Sequence, residues 1–400
     1  TDDQSADPQM VLKQTIEAVS ANPRISVLTE AEVVNVGGYV GQYRTTVQLT
    51  DPSTGSGRGG RQEEIQHGVI VVATGAQQIV PREYLYGEHP QVVTQRELEE
   101  MLAGGKDQES AESLRSVVMI QCVGSRDEEH PYCSRICCTE AVKNALAIKE
   151  RNPQTDVYIL YRDIRTFGFK ERYYREARQK GVIFLEYDKD QKPEVRGEDG
   201  QLRVDVTVQP EGEVFTLDAD LVVLSAGIEP NVDNEALAQV LKVPLNEDGF
   251  FLEAHVKLRP LDFAAAGVYL CGMAHSPRFL DETIAQARGA AMRAAILLSG
   301  EELEATPIVA SVNPLLCSNC GQCIEVCPYD ARVSVPPPSP PLPLPLRGGG
   351  RHGYVQVIDV LCQGCGACVT ACPNKASQQK GFEMPQVYSM LDALTVVNGQ

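Results

Sequence analysis

Apolar and polar positions alternate early in the chain in a way that predicts β structure. ISVLTEAEVVNVGG (25–38) and YRTTVQLTD (43–51) predict strands joined by Gly-rich turns, and PSTGSGRGGRQ (52–62) predicts a hairpin tip. GVIVVATGAQ (68–77) is continuously apolar up to Thr-Gly-Ala, as a strand covered on both faces of a parallel sheet would be. Residues 116 to 187 read as a βαβ pattern: strand SVVMIQC, helix YCSRICCTEAVKNALAIKERNP, strand DVYILYRD, helix FKERYYREARQKG, strand VIFLEYD. LRVDVTVQP and LDADLVVLSAGIEPN predict a hairpin followed by a buried strand. GVYLCGMAHSPRFLDETIAQARGAAMRAAILLSG predicts a strand, a loop and a long Ala-rich helix. Strands alternating with helices give an α/β domain with a mostly parallel sheet.

Beyond residue 300 the pattern changes. Residues 313 to 328 and 358 to 374 contain near-copies, NPLLCSNCGQCIEVCP and DVLCQGCGACVTACP. Between them VPPPSPPLPLPLRGGGRHG is too rich in Pro and Gly for helix or sheet, and predicts a polyproline-like spur with a Gly hinge.

Length and composition narrow the function. Four hundred residues suggest two or three domains. A net charge of -18 argues against a nucleic-acid surface and against docking on anionic membranes. No apolar run approaches the roughly 20 residues of a membrane span. The N-terminus, TDDQSADPQM, is polar and acidic with no signal-peptide pattern, and its first residue, Thr1, suggests a processed or incomplete chain. Of the 13 cysteines, all but Cys271 fall into three tight groups, unlike a secreted disulfide scaffold. Grouped thiols of this kind suggest metal ligands kept reduced in the cytoplasm.

Cys317, Cys320, Cys323 and Cys327 follow C-x2-C-x2-C-x3-C-P, and Cys362, Cys365, Cys368 and Cys372 repeat it. The spacing resembles that of bacterial two-cluster ferredoxins, where three cysteines of one run and the last of the other hold each [4Fe–4S] centre. On that pattern Cys317, Cys320, Cys323 and Cys372 hold one cluster, and Cys362, Cys365, Cys368 and Cys327 the other. Zinc is the alternative, although it needs neither the third cysteine nor the closing Cys-Pro.

The third group lies in QCVGSRDEEHPYCSRICC (121–138), where a strand runs into a helix. Only Gly124 is available where a dinucleotide fingerprint needs three glycines. Cys133 and Cys137 stand four apart, which would put both on one face of the expected helix. The helix N-terminus favours thiolate and an anionic cluster. Cys122, Cys133, Cys137 and Cys138 could hold a third [4Fe–4S] centre; inert buried thiols are the alternative.

CVGSRDEEHPYCSRICCTEAVKNALAIK, RDIRTFGFKERYYREAR, VVATGA and VLSAGIEPN closely resemble the flavoprotein A-subunit of heterodisulfide reductase and its bacterial relatives. The resemblance implies an α/β, thioredoxin-reductase-like fold with two dinucleotide-binding domains, the first βαβ missing, followed by a C-terminal α+β two-[4Fe–4S] ferredoxin domain. It implies a partial FAD-binding domain over 1–110, and an NAD(P)-domain-like unit with the inserted cysteines over 111–230. A return to the FAD domain spans 231–305. The ferredoxin domain occupies 306–380 with the Pro-rich insertion 335–350, and a C-terminal tail covers 381–400. The former NAD(P) corner would hold a cubane on Cys122, Cys133, Cys137 and Cys138 beside the flavin, with Lys143 facing the flavin and tuning its reduced form. Thr74, Gly75 and Ala76 would lie near the adenine half of FAD, and Gly272, Thr283 and Gln286 would contact the flavin end, with Cys271 a core residue. No G-x-G-x-x-G precedes residue 25, so a fragment or a partner chain supplying that half of the site is expected.

The expected function is that of an oxidoreductase subunit for electron transport between FAD and the clusters, in a complex able to reduce a heterodisulfide or bifurcate electrons. The expected partners are B- and C-like reductase subunits, a hydrogenase- or dehydrogenase-linked donor and ferredoxin, with no nucleic acid and no membrane span. Two other readings stay open. One is an NAD(P)H-dependent flavin reductase with a ferredoxin appendage, and the other a ferredoxin-type carrier on a non-flavin scaffold.

Overall fold

The computed structural model describes residues 8–50, 61–104, 113–198, 200–302, 308–337 and 353–397. The hairpin tip expected at 52–62 and the Pro-rich insertion lie largely outside these residues. Helix α1 (Pro8–Ala21), which the sequence reading did not anticipate, opens the chain. β1 (Ala31–Tyr39), β2 (Gln42–Leu49) and β3 (Gln62–His67) form an antiparallel sheet in that order. Residues 25–30, expected in the first strand, are not in it: β1 starts at Ala31, opposite the last residue of β2, Leu49. β4 (Ile70–Val72) and β5 (Gln77–Gln78) replace the long strand expected at 68–77.

β6 (Val92–Thr94) runs into α2 (Gln95–Leu102) through a capping box, in which the Glu97 N–H donates to Thr94 Oγ1 at 3.3 Å and the Thr94 N–H to the Glu97 carboxylate at 2.6 Å. Then come β7 (Ser116–Val123), α3 (Cys137–Arg151), β8 (Asp156–Tyr161), α4 (Glu171–Gln179) and β9 (Ile183–Glu186). The hairpin strands β10 (Glu194–Glu198), β11 (Gln201–Val208) and β12 (Glu213–Ala219) lead to the wholly buried β13 (Leu221–Ala226). β14 (Ile228–Glu229), α5 (Asn234–Leu241), β15 (Val268–Leu270) and α6 (Leu280–Leu298) complete this part.

The central sheet is parallel, in the order β6-β13-β7-β8-β9. Its apolar strands are covered on both sides, as their continuous hydrophobicity requires. Val117 and Met119 of β7 pack with Leu98, Ala141 and Val142 of the helices, whereas Val118 and Ile120 pack with Leu202 and Val204 of the hairpin sheet. A buried polar chain ties α3 to this core: Asn144 Nδ2 donates to Gln95 Oε1 at 2.8 Å, and Gln95 Nε2 to Ser225 Oγ at 3.2 Å. β4 and β15 form a separate two-stranded parallel sheet packed on Phe251 and Phe263. The three-residue length of β15 limits β4, and Gly75, at φ +75°, turns the chain away beyond it.

The helix expected from Tyr132 starts only at Cys137. Arg135 stands at φ +60°, a conformation no helix tolerates, and residues 126–134 are folded into a loop. The Arg126 N–H bonds the His130 carbonyl at 2.7 Å, and the Tyr132 hydroxyl bonds the Ile228 carbonyl at 2.9 Å. Cys133 therefore lies in the loop before the helix, and the expected shared helical face with Cys137 does not exist.

The C-terminal part holds β16 (Ala310–Val312), α7 (Gln322–Glu325), β17 (Arg332–Val335), β18 (Tyr354–Val357), α8 (Ala367–Thr370), β19 (Ser377–Gln379) and α9 (Met384–Val397). β16 pairs with β19 and β17 with β18, so each two-stranded ribbon joins the two halves of the repeat. The stretch expected as a bare tail contains helix α9, with Tyr388, Leu391 and Leu394 exposed along it. Among the described residues no helix is long and apolar enough to cross a membrane.

Candidate functional site

The two cysteine runs fold alike. In the first, Cys317 and Cys320 precede α7, Cys323 lies within it and Cys327 follows; in the second, Cys362, Cys365, Cys368 and Cys372 take the same places around α8. The halves close on each other through equivalent bonds. The Ala310 N–H points at Cys362 Sγ at 3.3 Å and the Val355 N–H at Cys317 Sγ at 3.5 Å. Likewise the Asn313 N–H bonds the Ala376 carbonyl at 2.8 Å, and the Ile358 N–H the Ala331 carbonyl at 2.9 Å. This reciprocal closure brings Cys372 from the second run to Cys317, Cys320 and Cys323 of the first. All four line one small pocket, walled also by Val355 and Ser377. Cys323 and Cys368 are buried together in the same apolar cluster. Among the described residues no three His, Cys, Asp or Glu side chains converge as ligands of a single metal ion.

One buried cation stands in this region. Arg332, 4% exposed, donates through Nη2 to Cys368 Sγ at 2.6 Å and to Ser377 Oγ at 2.7 Å, while its Nη1 is buried without a partner. An orphaned guanidinium nitrogen among thiols fits a tail that houses anionic sulfur clusters, since a buried donor and a buried charge both require a counterpart.

The remaining group occupies the crevice where the sheet order reverses. From β7 the chain proceeds outward to β8 and β9, while β13 and β6 lie on its other side, so the carboxyl ends of β7 and β13 frame a topological switch point. Cys122, at the end of β7, is held at φ +63°. Gly124, at φ +67°, passes so close to Ile79 that a Cβ would lie 2.9 Å from its Cγ2. Cys137 and Cys138 occupy the first turn of α3, where the helix dipole favours negative charge. Burial pushes the Cys122 thiol up to about 11, with Cys138 adding to this and Arg126 and Arg162 opposing it. Cys137 and Cys138 share a hydrogen bond that raises Cys137, together with its burial, and lowers Cys138.

Arginines surround these thiols. Arg126 Nη1 stands 3.8 Å from Cys122 Sγ and also pairs with Asp163, whose other oxygen accepts from Arg165 Nε at 2.8 Å. Arg165 also reaches Cys133. Arg162 Nη1 donates to the Arg126 carbonyl at 2.9 Å. The Arg135 N–H meets Cys133 Sγ at 3.3 Å, and its side chain grips Glu282 of α6 with two bonds of 2.9 and 3.1 Å. The amide of Gln121 and the hydroxyl of Thr139, which adjoin Cys122 and Cys138 in the chain, are buried with no partner. Four thiols and a positive surround suit an anionic iron–sulfur cluster.

The residues expected at the flavin fall in two places at the ends of neighbouring strands. Thr74, Gly75 and Ala76 follow β4, and the Thr74 carbonyl accepts from Asn231 Nδ2 at 2.8 Å. Gly272 follows β15, and its N–H donates to Gln286 Oε1 at 2.8 Å. At φ +70°, a Cβ on Gly272 would lie 3.1 Å from Thr283 Cγ2, so Gly272, Thr283 and Gln286 do come together. His275 adds to this group, with Nε2 2.7 Å from the Glu253 carboxylate and Nδ1 3.3 Å from Gln286 Nε2. Cys271 is buried in the core with Tyr269 and Ala290. Lys143, expected to face the flavin, lies on the exposed side of α3 with its ammonium paired to Glu99. There it opposes the burial and the nearby Glu99 charge that raise the Glu140 carboxyl to about 7.

Sequence reasoning missed the arginines around Cys122, Cys133 and Cys138, and it missed Arg332. RDIRTFGFK carries two of the former in a stretch singled out only for resemblance. Arg332 stands where the second repeat has Ser377, a difference that aligning the repeats exposes.

Comparison with known proteins adds to these geometries. Residues 316–376 match the 4Fe-4S dicluster domain. The chain is 41% identical over 289 residues to the A-subunit of the H(2):CoB-CoM heterodisulfide,ferredoxin reductase of Methanothermobacter thermautotrophicus, an overlap of 67% of this chain and 42% of the relative. It is 39% identical over 287 residues to the iron-sulfur A-subunit of the CoB–CoM heterodisulfide reductase of Methanocaldococcus jannaschii, covering 67% of this chain and 43% of the relative. The chain thus spans less than half the length of these relatives. Among solved structures, the thioredoxin reductase of T. acidophilum overlaps 72% of this chain and 79% of its own, with 15% identity and a TM-score of 0.44. The chain is therefore a homologue of the heterodisulfide reductase A-subunit along two thirds of its length, and it carries a 4Fe-4S dicluster domain over residues 316–376.

Proposed function

We propose that this chain is the electron-carrying flavo-iron–sulfur part of a heterodisulfide-reductase-like oxidoreductase. The observation that carries the reading is the pocket that gathers Cys317, Cys320 and Cys323 with Cys372 of the other run. Cys362, Cys365, Cys368 and Cys327 take the second tail cluster, and Cys122, Cys133, Cys137 and Cys138 a third at the switch point. When bound, FAD and [4Fe–4S] clusters supply two- and one-electron chemistry.

The chain's own residues bind and tune. The arginines around Cys122 and Cys133 and the first turn of α3 hold negative charge on the thiolates. Thr74, Gly75 and Ala76 on one strand end and Gly272, Thr283 and Gln286 on the other form the part of the FAD site that this chain supplies. Lys143 is tied to Glu99 on the exposed side of α3. Residues 1–110 and 231–305 serve the flavin, 111–230 the corner cluster and 306–380 the tail pair. Other reductase subunits and ferredoxin are the partners, in the cytoplasm, and reduction of a heterodisulfide belongs to the whole complex.

Anaerobic reconstitution followed by iron, sulfide and flavin analysis tests this. About 12 iron per chain, for three cubanes, together with stoichiometric FAD is expected. About 8 iron without flavin would reduce the chain to a ferredoxin-type carrier, and rapid NAD(P)H oxidation would favour an independent flavin reductase.

A further inference from the structure

The tail is symmetric in its ligands and asymmetric in its charge. Ribbons, cysteines and the N–H groups that meet sulfur recur in both halves, but Arg332 in the first half faces Ser377 in the second. The guanidinium is buried, its contacts are a thiol and a hydroxyl, and Nη1 has no partner. A buried cation is costly without an anion, and here the anions within reach are cysteine sulfurs. It touches Cys368 directly, and Cys323 of the other group is buried in the same apolar cluster as Cys368.

Building on the tail-cluster reading above, we propose that Arg332 sets the reduction potentials of both tail clusters unequally, making the cluster on Cys362, Cys365, Cys368 and Cys327 the preferred resting place of the electron. One-electron reduction adds negative charge to an already anionic cluster. A fixed guanidinium stabilises that added charge, and hydrogen bonding to a ligand sulfur raises potential further. Both effects are larger at the cluster Arg332 touches. Ser377, uncharged, gives the other cluster no equal compensation. Two similar sites thereby become an ordered pair with a downhill direction.

The test uses the full chain, anaerobically reconstituted, with potentiometric titration followed by EPR. Arg332→Gln removes the charge, Arg332→Met removes charge and polarity, and Arg332→Lys keeps the charge without the fork. Both neutral variants are expected to lower both midpoints, more at the second-run centre. At a poise where the wild-type second-run centre is half reduced, its reduced-to-oxidised ratio should fall about tenfold, as loss of one charge-assisted hydrogen bond implies. Arg332→Lys should recover part of the difference between the centres. Unchanged midpoints in a neutral variant with full iron content would overturn the proposal. Should the neutral variants lose iron, wild-type protein labelled with 15N-arginine decides: pulsed EPR of the reduced second-run centre should show coupling to a guanidinium nitrogen, and its absence overturns the proposal. Wild-type protein that holds no tail clusters would instead defeat the underlying cluster reading.

Discussion

Arg135 is the strut between the cysteine loop and helix α6, and replacing it with Met gives a sharp test of that arrangement. The substitution keeps the apolar stem and removes the fork. It deletes two bonds to the Glu282 carboxylate, of 3.1 and 2.9 Å, and one of 3.1 Å to the Pro277 carbonyl. It also removes a cation from the rings of Phe167 and Phe279, at 5.5 and 6.0 Å from their centres. Both charged side chains are about a third exposed, so the ion pair contributes about 1 kcal/mol at most. The ring contacts and the carbonyl bond add roughly another 1 kcal/mol together. The sum of about 2 kcal/mol is roughly a thirtyfold change in local opening, at 1.4 kcal/mol per factor of ten.

Hydrogen exchange by mass spectrometry on a peptide spanning 279–286 reads this directly, because the Thr283 N–H is held by the Phe279 carbonyl in the first turn of α6. Iron content should not change, since the backbone N–H that meets Cys133 is unaltered. Glu282 keeps its bond from the Phe279 N–H at 3.0 Å, so the helix start survives. A cycle with Glu282→Gln should return a coupling of about 1 kcal/mol. Exchange within about twofold of wild type, or a coupling under about 0.3 kcal/mol, would refute the strut.

Three further outcomes are expected. The double variant Cys317→Ala/Cys372→Ala should lose one EPR centre and Cys362→Ala/Cys372→Ala two; loss of only one centre in the latter would disprove ligation across the runs. Burial and the neighbouring Arg278 hold His275 below its ordinary value near 6.5, against the pull of Glu253, so the unfolded chain binds more protons there. Its contribution to stability is full above about 6.5 and shrinks as pH falls below that, and urea midpoints should drop less on acidification in His275→Asn than in wild type. Met119→Ala, at a fully buried position in the parallel sheet, should cost about 2–5 kcal/mol in urea denaturation, and a smaller loss would mean that the core collapses onto the gap.

The parallel sheet was legible because β7 and β13 are almost continuously apolar, as strands covered on both faces need, with only Gln121 and Ser225 as buried polar exceptions. The cysteine spacing likewise announced the tail, and the crossing of Cys372 to the first run is visible in the pocket. Helix starts were less legible. Nothing local marks Arg135 as left-handed, and that conformation arises from tertiary bonds of the loop to Ile228 and Glu282. The same holds for β4, whose length is set by a three-residue partner remote in sequence. The expectation for Lys143 came from the resemblance, and nothing local in the sequence shows that its ammonium pairs with Glu99. Helices α1 and α9 went unread, each lying at a chain end beyond the motifs that organised the reading.

The exchange of N–H groups between the halves of the tail constrains how such a protein is made. Val355 reaches back to Cys317 and Ala310 reaches forward to Cys362, so neither loop attains its final shape on a nascent chain that lacks the other. On the ligation proposed above, neither cluster has its full set of thiols until the second run has left the ribosome.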